Sequence, residues 1–150
     1  MSQLHLGLDI GGTKLMLLTV CGQQRQTWSF ATGLHADPAL IRDRIDGVLA
    51  GLGRAIADVM GVAIPGMVDS DGVVRDCDVL PKLTGWRPQD DWPGAVVLND
   101  GEAALENVAA SEPSDATVAA IGCGTGIAAA LQVAGARLRR FRPYAGELGM

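Results

Sequence analysis

The chain has 150 residues, a formal net charge of −5, 48% hydrophobic residues and 19% charged ones. That composition supports a domain with a real core and excludes a disordered chain. The acidic balance argues against nucleic acid as the main partner, while leaving room for a phosphorylated ligand held by backbone donors and a divalent cation.

The three cysteines, Cys21, Cys77 and Cys123, are widely spaced and form no C-x-x-C. They read as small buried or half-buried thiols in a reducing compartment, and no zinc is expected. No apolar run reaches the roughly 18 residues of a membrane span, and no basic leader with a cleavage site appears. The expectation is a cytoplasmic protein with no membrane partner. His5 and His35 lack a nearby Ser or Cys in a nucleophile-like context, which argues against a hydrolytic triad.

The chain opens with alternating Leu4, Leu6 and Leu8, then Asp9-Ile-Gly-Gly-Thr-Lys14, then a second strand-like run from Leu15 to Val20. Two such runs joined by Gly11-Gly12 predict a β-hairpin. Its turn carries an acid at the entry and a hydroxyl and a cation at the exit. Glycines let backbone N–H groups approach an anion, so the turn can cradle phosphate, with Asp9 orienting Mg²⁺ through water. A plain Gly-Gly turn explains the same residues about equally well.

Gln26 to Thr32 predicts a third strand, with Trp28 and Phe30 on one face. Asp37-Pro38 then starts a helix, Asp as N-cap and Pro at the first helical position. Its apolar stripe runs through Ile41, Ile45, Val48, Leu49, Leu52 and Ile56. Val59 to Val68 reads as a buried strand interrupted at Pro65-Gly66. A short hairpin turns at Asp71-Gly72 into Val73-Val74. Cys77 to Pro93 is a long connection, and long connections in compact domains often serve function.

Ala95 to Leu98 predicts an apolar strand ending in Asn99-Asp100, with a helix from Gly101 to Ala110. The polar stretch Ser111 to Asp115, with Pro113, is the expected domain boundary. The pattern of strand, Gly-rich turn with Thr, and strand then repeats at Thr117 to Ile121, Gly122-Cys-Gly-Thr-Gly126 and Ile127 to Val133. The basic run through Arg137, Arg139, Arg140 and Arg142 reads as a solvated hairpin edge.

Two Gly/Thr hairpins predict two lobes closing on one nucleotide. A dinucleotide-binding motif fails because the second turn reads G-x-G-x-G and leads into a strand. A Walker loop fails because its Gly-Lys-Ser/Thr is absent. Asp100, at the end of a buried strand and the start of a helix, is the candidate base. The helix N-terminus favours its anion there, and strand ends are where α/β sheets place ligand groups. Its role would be to accept the proton of a substrate hydroxyl attacking a terminal phosphate. The plainer reading makes Asn99 or Asp100 a helix cap.

Taken together, Asp9-Ile-Gly-Gly-Thr-Lys14, Gly61-Val-Ala-Ile-Pro-Gly66-Met-Val68, Asn99-Asp100, Gly124-Thr-Gly126 and Ala145-Gly-Glu-Leu-Gly149 resemble the ROK family of bacterial sugar kinases and sugar-responsive repressors. The resemblance covers essentially the whole chain. It implies an α/β, actin-like ATPase (ribonuclease H-like) fold, a mixed sheet with flanking helices and an incomplete second lobe. Residues 1–113 would be the N-terminal lobe and 114–150 the opening strands of the next. It implies ATP phosphates held by Gly11, Gly12, Thr13 and Lys14 and by Gly124, Thr125 and Gly126, with Asp9 serving Mg²⁺. Asn99 and Glu147 would bind sugar hydroxyls, Gly66 would approach the sugar with its backbone, and Asp100 would be the base.

Three positions depart from the family pattern. Ala128 stands where a second glycine usually follows the threonine, Val79-Leu80-Pro81 replaces Asn-Leu-Pro, and Met150 stands where zinc-bearing members have histidine. With only Met1 to Gln3 before the first strand, there is no room for a repressor's helix-turn-helix, which favours the kinase branch. The expected function is ATP-dependent phosphorylation of a hexose or amino-sugar hydroxyl, glucokinase-like or amino-sugar-kinase-like. The rival is a non-catalytic sugar- or nucleotide-binding module. The sequence is silent on oligomeric state and leaves a homo-oligomer open; robust turnover by this chain alone would point to a site completed across two copies.

Overall fold

The computed structural model describes residues 2–123, 127–138 and 147–149, the last three and Ile127 by backbone alone. The chain forms two compact units, residues 1–98 and 99–150. The expected lobe boundary at 113/114 lies within the second of these.

The first unit is built on β1 (Leu4–Ile10), β2 (Lys14–Cys21) and β3 (Gln24–Ala31), a meander as the sequence predicts. Helix α1 (Pro38–Gly51) follows, then β4 (Val59–Ile64), the short hairpin β5 (Met67–Val68) and β6 (Val74–Asp76), a 3-10 turn at Pro81–Leu83, the single-turn α2 (Pro88–Asp91) and β7 (Val96–Asn99). The five-stranded sheet has the order β3-β2-β1-β4-β7. It is mixed: β1 is antiparallel to β2 and parallel to β4.

Strand alternation sets the core. Leu4, Leu6, Leu8 and Ile10 of β1, Leu15 and Leu17 of β2, and Met60, Val62 and Ile64 of β4 are all buried, and cluster with Ile41, Ile45, Val48 and Leu49 of α1. The opposite side of β1 carries His5, Gly7 and Asp9. Leu80, Leu83 and Trp86, from the long connection, join the same core. The predicted helical stripe stops short of Ile56: α1 ends at Gly51, and Ile56 is 72% exposed. Gly53, with φ of +67°, follows the Leu52 cap and turns the chain out of the helix.

The second unit holds α3 (Asp100–Ala109), β8 (Val118–Cys123), β9 (Ile127–Val133), β10 (Ala136–Arg137) and β11 (Glu147–Gly149). β9 pairs antiparallel with β8, β10 and β11. Leu105 of α3 packs with Val118 and Ala120, joined by Ala116 and Ala130. The other side of this ribbon keeps Ile121 66% and Val133 41% exposed. No helix among the described residues is long and apolar enough to cross a membrane.

The cap of α1 is as the sequence predicts. Asp37 accepts a hydrogen bond from the Leu40 N–H at 2.9 Å, with Pro38 at the first helical position. Removing that acceptor leaves an unsatisfied donor at the helix start. Asp37→Ala should cost about 1 kcal/mol and lower the thermal midpoint by a few degrees, read by circular dichroism.

Candidate functional site

The first candidate element is the turn between β1 and β2. Ile10 pairs with Leu15, and the Gly11 N–H donates to the Lys14 carbonyl at 2.9 Å. Thr32, just past β3, braces the turn from the side. Its hydroxyl donates to the Gly11 carbonyl at 2.7 Å, and its N–H to the Thr13 carbonyl at 3.2 Å. Thr13 and Lys14 are exposed, and Lys14 makes no ion pair among the described residues.

Neither Gly11 nor Gly12 has a positive φ, so their need for glycine is spatial. A Cβ on Gly11 would lie 3.0 Å from the Lys14 carbonyl oxygen, and one on Gly12 only 2.2 Å from Val79 Cγ1. Val79, which stands where the family pattern has asparagine, is therefore the floor on which the turn rests. Sequence reasoning missed Thr32 and Val79 because their partners lie 21 and 67 residues away in the chain.

Asp9 lies next to the turn, on the side of β1 away from the core. Its carboxyl reaches solvent, yet the protein on its inner side desolvates it enough to raise its pKa above the usual 3.8. No arginine or lysine pairs with it among the described residues. A carboxylate so placed suits a hydrated cation.

Gly66 sits between β4 and β5 at φ +150°, a conformation that side chains rarely adopt. A Cβ there would approach the Asp76 carbonyl oxygen to 2.4 Å and the Cys77 Cβ to 3.1 Å. The buried Cys77 thiol donates to the Pro65 carbonyl at 2.6 Å. This loop is therefore pinned from behind.

In the second unit the cap falls to Asn99. It is 1% exposed, has extended dihedrals and accepts from the Gly101 N–H at 2.9 Å. Asp100 is the first helical residue, and its Oδ1 also accepts from Gly101, at 2.7 Å. The start of α3 lies on β9: a Cβ at Gly101 would be 3.6 Å from the Ala128 Cβ. Ala128 in turn pairs with Glu147 of β11. The structure thus sets the start of α3, at Gly101, against Ala128, which is itself paired with the Glu147 backbone, although the three lie far apart in sequence. Gly124, Thr125, Gly126 and Met150 lie outside the described residues, while the expected strands on either side, β8 and β9, are present.

A separate cleft of about 490 Å³ between β3 and α1 is lined by Trp28, Phe30 and Arg44 among others. It contains none of the candidate catalytic or ligand-binding residues.

A ROK family glucokinase from Streptomyces griseus, solved with glucose and AMPPNP, superposes with a TM-score of 0.67 at 25% identity, over 97% of this chain and 48% of its own. The fold is that of the ROK proteins. It is equally that of a ROK family transcriptional regulator, a homologue of the E. coli MLC protein, with a TM-score of 0.68 at 15% identity over 99% of this chain and 40% of its own. A curated kanosamine kinase from Amycolatopsis mediterranei (strain S699) is 28% identical over 141 residues, covering 87% of this chain and 46% of that protein. The chain spans about half the length of these relatives or less. No family model matches it.

Two outcomes test this geometry. Gly12→Ala drives a methyl into the stiff, branched Val79 and should cost about 1–3 kcal/mol. Adding Val79→Ala should recover most of that loss, so denaturant midpoints of the two single variants and the double will be strongly non-additive. For Asp9, a pKa raised by folding means that the folded state holds the proton more tightly than the unfolded one. Its ionisation therefore costs stability as pH rises from 3.8 through the folded pKa. Asp9→Asn should melt at or above wild type at neutral pH, with the difference shrinking as pH falls toward 3.8.

Proposed function

We propose that the chain is part of an ATP-dependent sugar kinase of the ROK family, transferring the terminal phosphoryl group of ATP to a hydroxyl of a hexose or amino sugar. The observation that carries this reading is the start of α3. There Asp100 follows the Asn99 cap, and Ala128, paired with Glu147, packs beside it. An acid at a strand end and helix start is well placed to take a proton from a ligand hydroxyl.

In this reading the turn of Gly11, Gly12, Thr13 and Lys14 in the first unit holds phosphate through the backbone donors of Gly12 and Thr13 and the Lys14 cation, while Gly11, whose N–H donates to the Lys14 carbonyl, closes the turn and leaves room for the ligand. Gly124, Thr125 and Gly126 do the same from the second. Gly66 offers its backbone to the sugar, and Asn99 and Glu147 take sugar hydroxyls. Asp100 accepts the hydroxyl proton as the sugar oxygen bonds to the γ-phosphorus. The bond from that phosphorus to the bridging oxygen breaks, and ADP leaves. Mg²⁺, when bound, neutralises phosphate charge. Asp9 suits it as a single carboxylate, because Mg²⁺ is commonly held by one or two carboxylates, water and phosphates. Among the described residues no group of three or more side chains forms a complete metal cage.

The lobes would be residues 1–113 and 114–150, as the family resemblance implies, with ATP and a sugar as ligands in the cytoplasm, no nucleic-acid partner, and a homo-oligomer as one way to complete the site. The non-catalytic reading, a sugar- or nucleotide-binding module, draws on the equal likeness to a transcriptional regulator.

Asp100→Asn separates them. The amide keeps the size and accepts from Gly101 but cannot take a proton. In the full-length protein, a coupled assay with ATP, Mg²⁺ and a panel of hexoses and amino sugars should show turnover reduced about 10²–10⁴-fold with sugar affinity retained. Near wild-type turnover removes Asp100 from the mechanism. Sugar binding with no turnover in the wild type favours the non-catalytic reading.

A further inference from the structure

Two glycine bends of the first unit carry proposed ligand contacts, Gly11–Gly12 for phosphate and Pro65–Gly66 for sugar. Both are seated on one short segment, Cys77–Val79. Val79 lies against Gly12, so closely that a Cβ there would come within 2.2 Å of its Cγ1. Cys77, 1% exposed, lies against Gly66, where a Cβ would come within 3.1 Å of both its Cα and Cβ.

The Cys77 sulfur ties the arrangement together. Its thiol donates to the Pro65 carbonyl at 2.6 Å. Burial raises the thiol pKa above 9.0, so the group stays protonated and remains a donor. The segment is anchored beyond Val79 by Leu80 and Leu83, both fully buried, and by the Leu83 N–H donating to the Leu80 carbonyl at 2.9 Å. A segment hydrogen-bonded to one bend, packed under the other and fixed in the core moves as a unit or not at all.

We propose that Cys77 and Val79 are positioning residues that couple the phosphate turn to the Gly66 loop, so that a change at one seat is felt at the other. The ligand names of the two bends rest on the kinase reading; the mechanical coupling does not. An inert core cysteine would leave the turn at Gly12 unaffected when altered.

The test compares ¹⁵N–¹H spectra of the isotopically labelled protein with those of Cys77→Ala, Cys77→Ser and Val79→Ala. Cys77→Ala and Val79→Ala should each shift the amides of both Gly12 and Gly66. Cys77→Ser, whose hydroxyl can donate to the Pro65 carbonyl as the thiol does, should return both toward wild type. Variants that each shift only their own bend, or a serine no better than alanine, overturn the coupling. Should Cys77→Ala fail to fold, Val79→Ala alone decides, because the atoms nearest a Cβ at Gly66 belong to Asp76 and Cys77 and not to Val79.

A second arm titrates AMPPNP with and without glucose. In the wild type either ligand should tighten the other roughly fivefold or more, and Val79→Ala should abolish that effect. Independent binding of the two ligands in the wild type counts against the coupling. If the wild type binds neither ligand, the kinase reading falls while the spectra still decide the coupling.

Discussion

The first unit depends on the strict alternation of β1. Leu4, Leu6, Leu8 and Ile10 face α1, and His5, Gly7 and Asp9 face the other way. A slip of one residue would exchange the two sets and bury Asp9 in an apolar core. The register is held from both sides, antiparallel to β2 and parallel to β4, so seven β1 residues are paired on one edge and five on the other. Only with that register fixed does the strand deliver Asp9 and the glycine turn together at its end. The core packing and the placement of the chemistry are one constraint read on two faces.

Much of this was legible in the sequence because it is local. The meander, the α1 cap, the break at Pro65-Gly66 and the α3 start all rest on residues within a few positions of each other. The miss at Ile56 shows the limit of periodicity. Its spacing continues the stripe, but Gly51 and Gly53 follow the last buried turn and release the chain. The glycines of the first turn were legible as a hairpin turn, but not the neighbour that requires them: neither has a positive φ, and it is Val79 that takes the space a Cβ on Gly12 would need. No single-sequence signal links residue 12 to residue 79. Ala128 reads in the sequence as a departure from a glycine, and no local signal shows that its methyl lies against the start of α3.

Asp9 is an acid whose charge opposes stability. Its carboxyl is partly desolvated and has no cationic partner among the described residues, so ionising it is unfavourable in the folded chain. Asp69 is the contrast. It accepts from the backbone N–H groups of Val73 and Asp71 and from Arg75, and these bonds hold its carboxyl below the usual range. One acid closes a hairpin and is stabilised by it. The other is kept where the fold gains nothing from its charge, which is the pattern expected of a residue retained for binding.

The likeness to both a glucokinase and a transcriptional regulator means that the backbone alone does not assign a reaction. What separates the two outcomes is chemistry at a few side chains. A binding module needs donors and acceptors for the ligand, and Asn99 would serve either protein equally. A kinase also needs a group that takes a proton from the attacking hydroxyl, because the nucleophile is weak while protonated. Asn99 already caps α3, so capping alone does not require an acid at the next position. The carboxylate of Asp100 is the feature of this chain that a kinase would use and a passive sugar-binding module could replace.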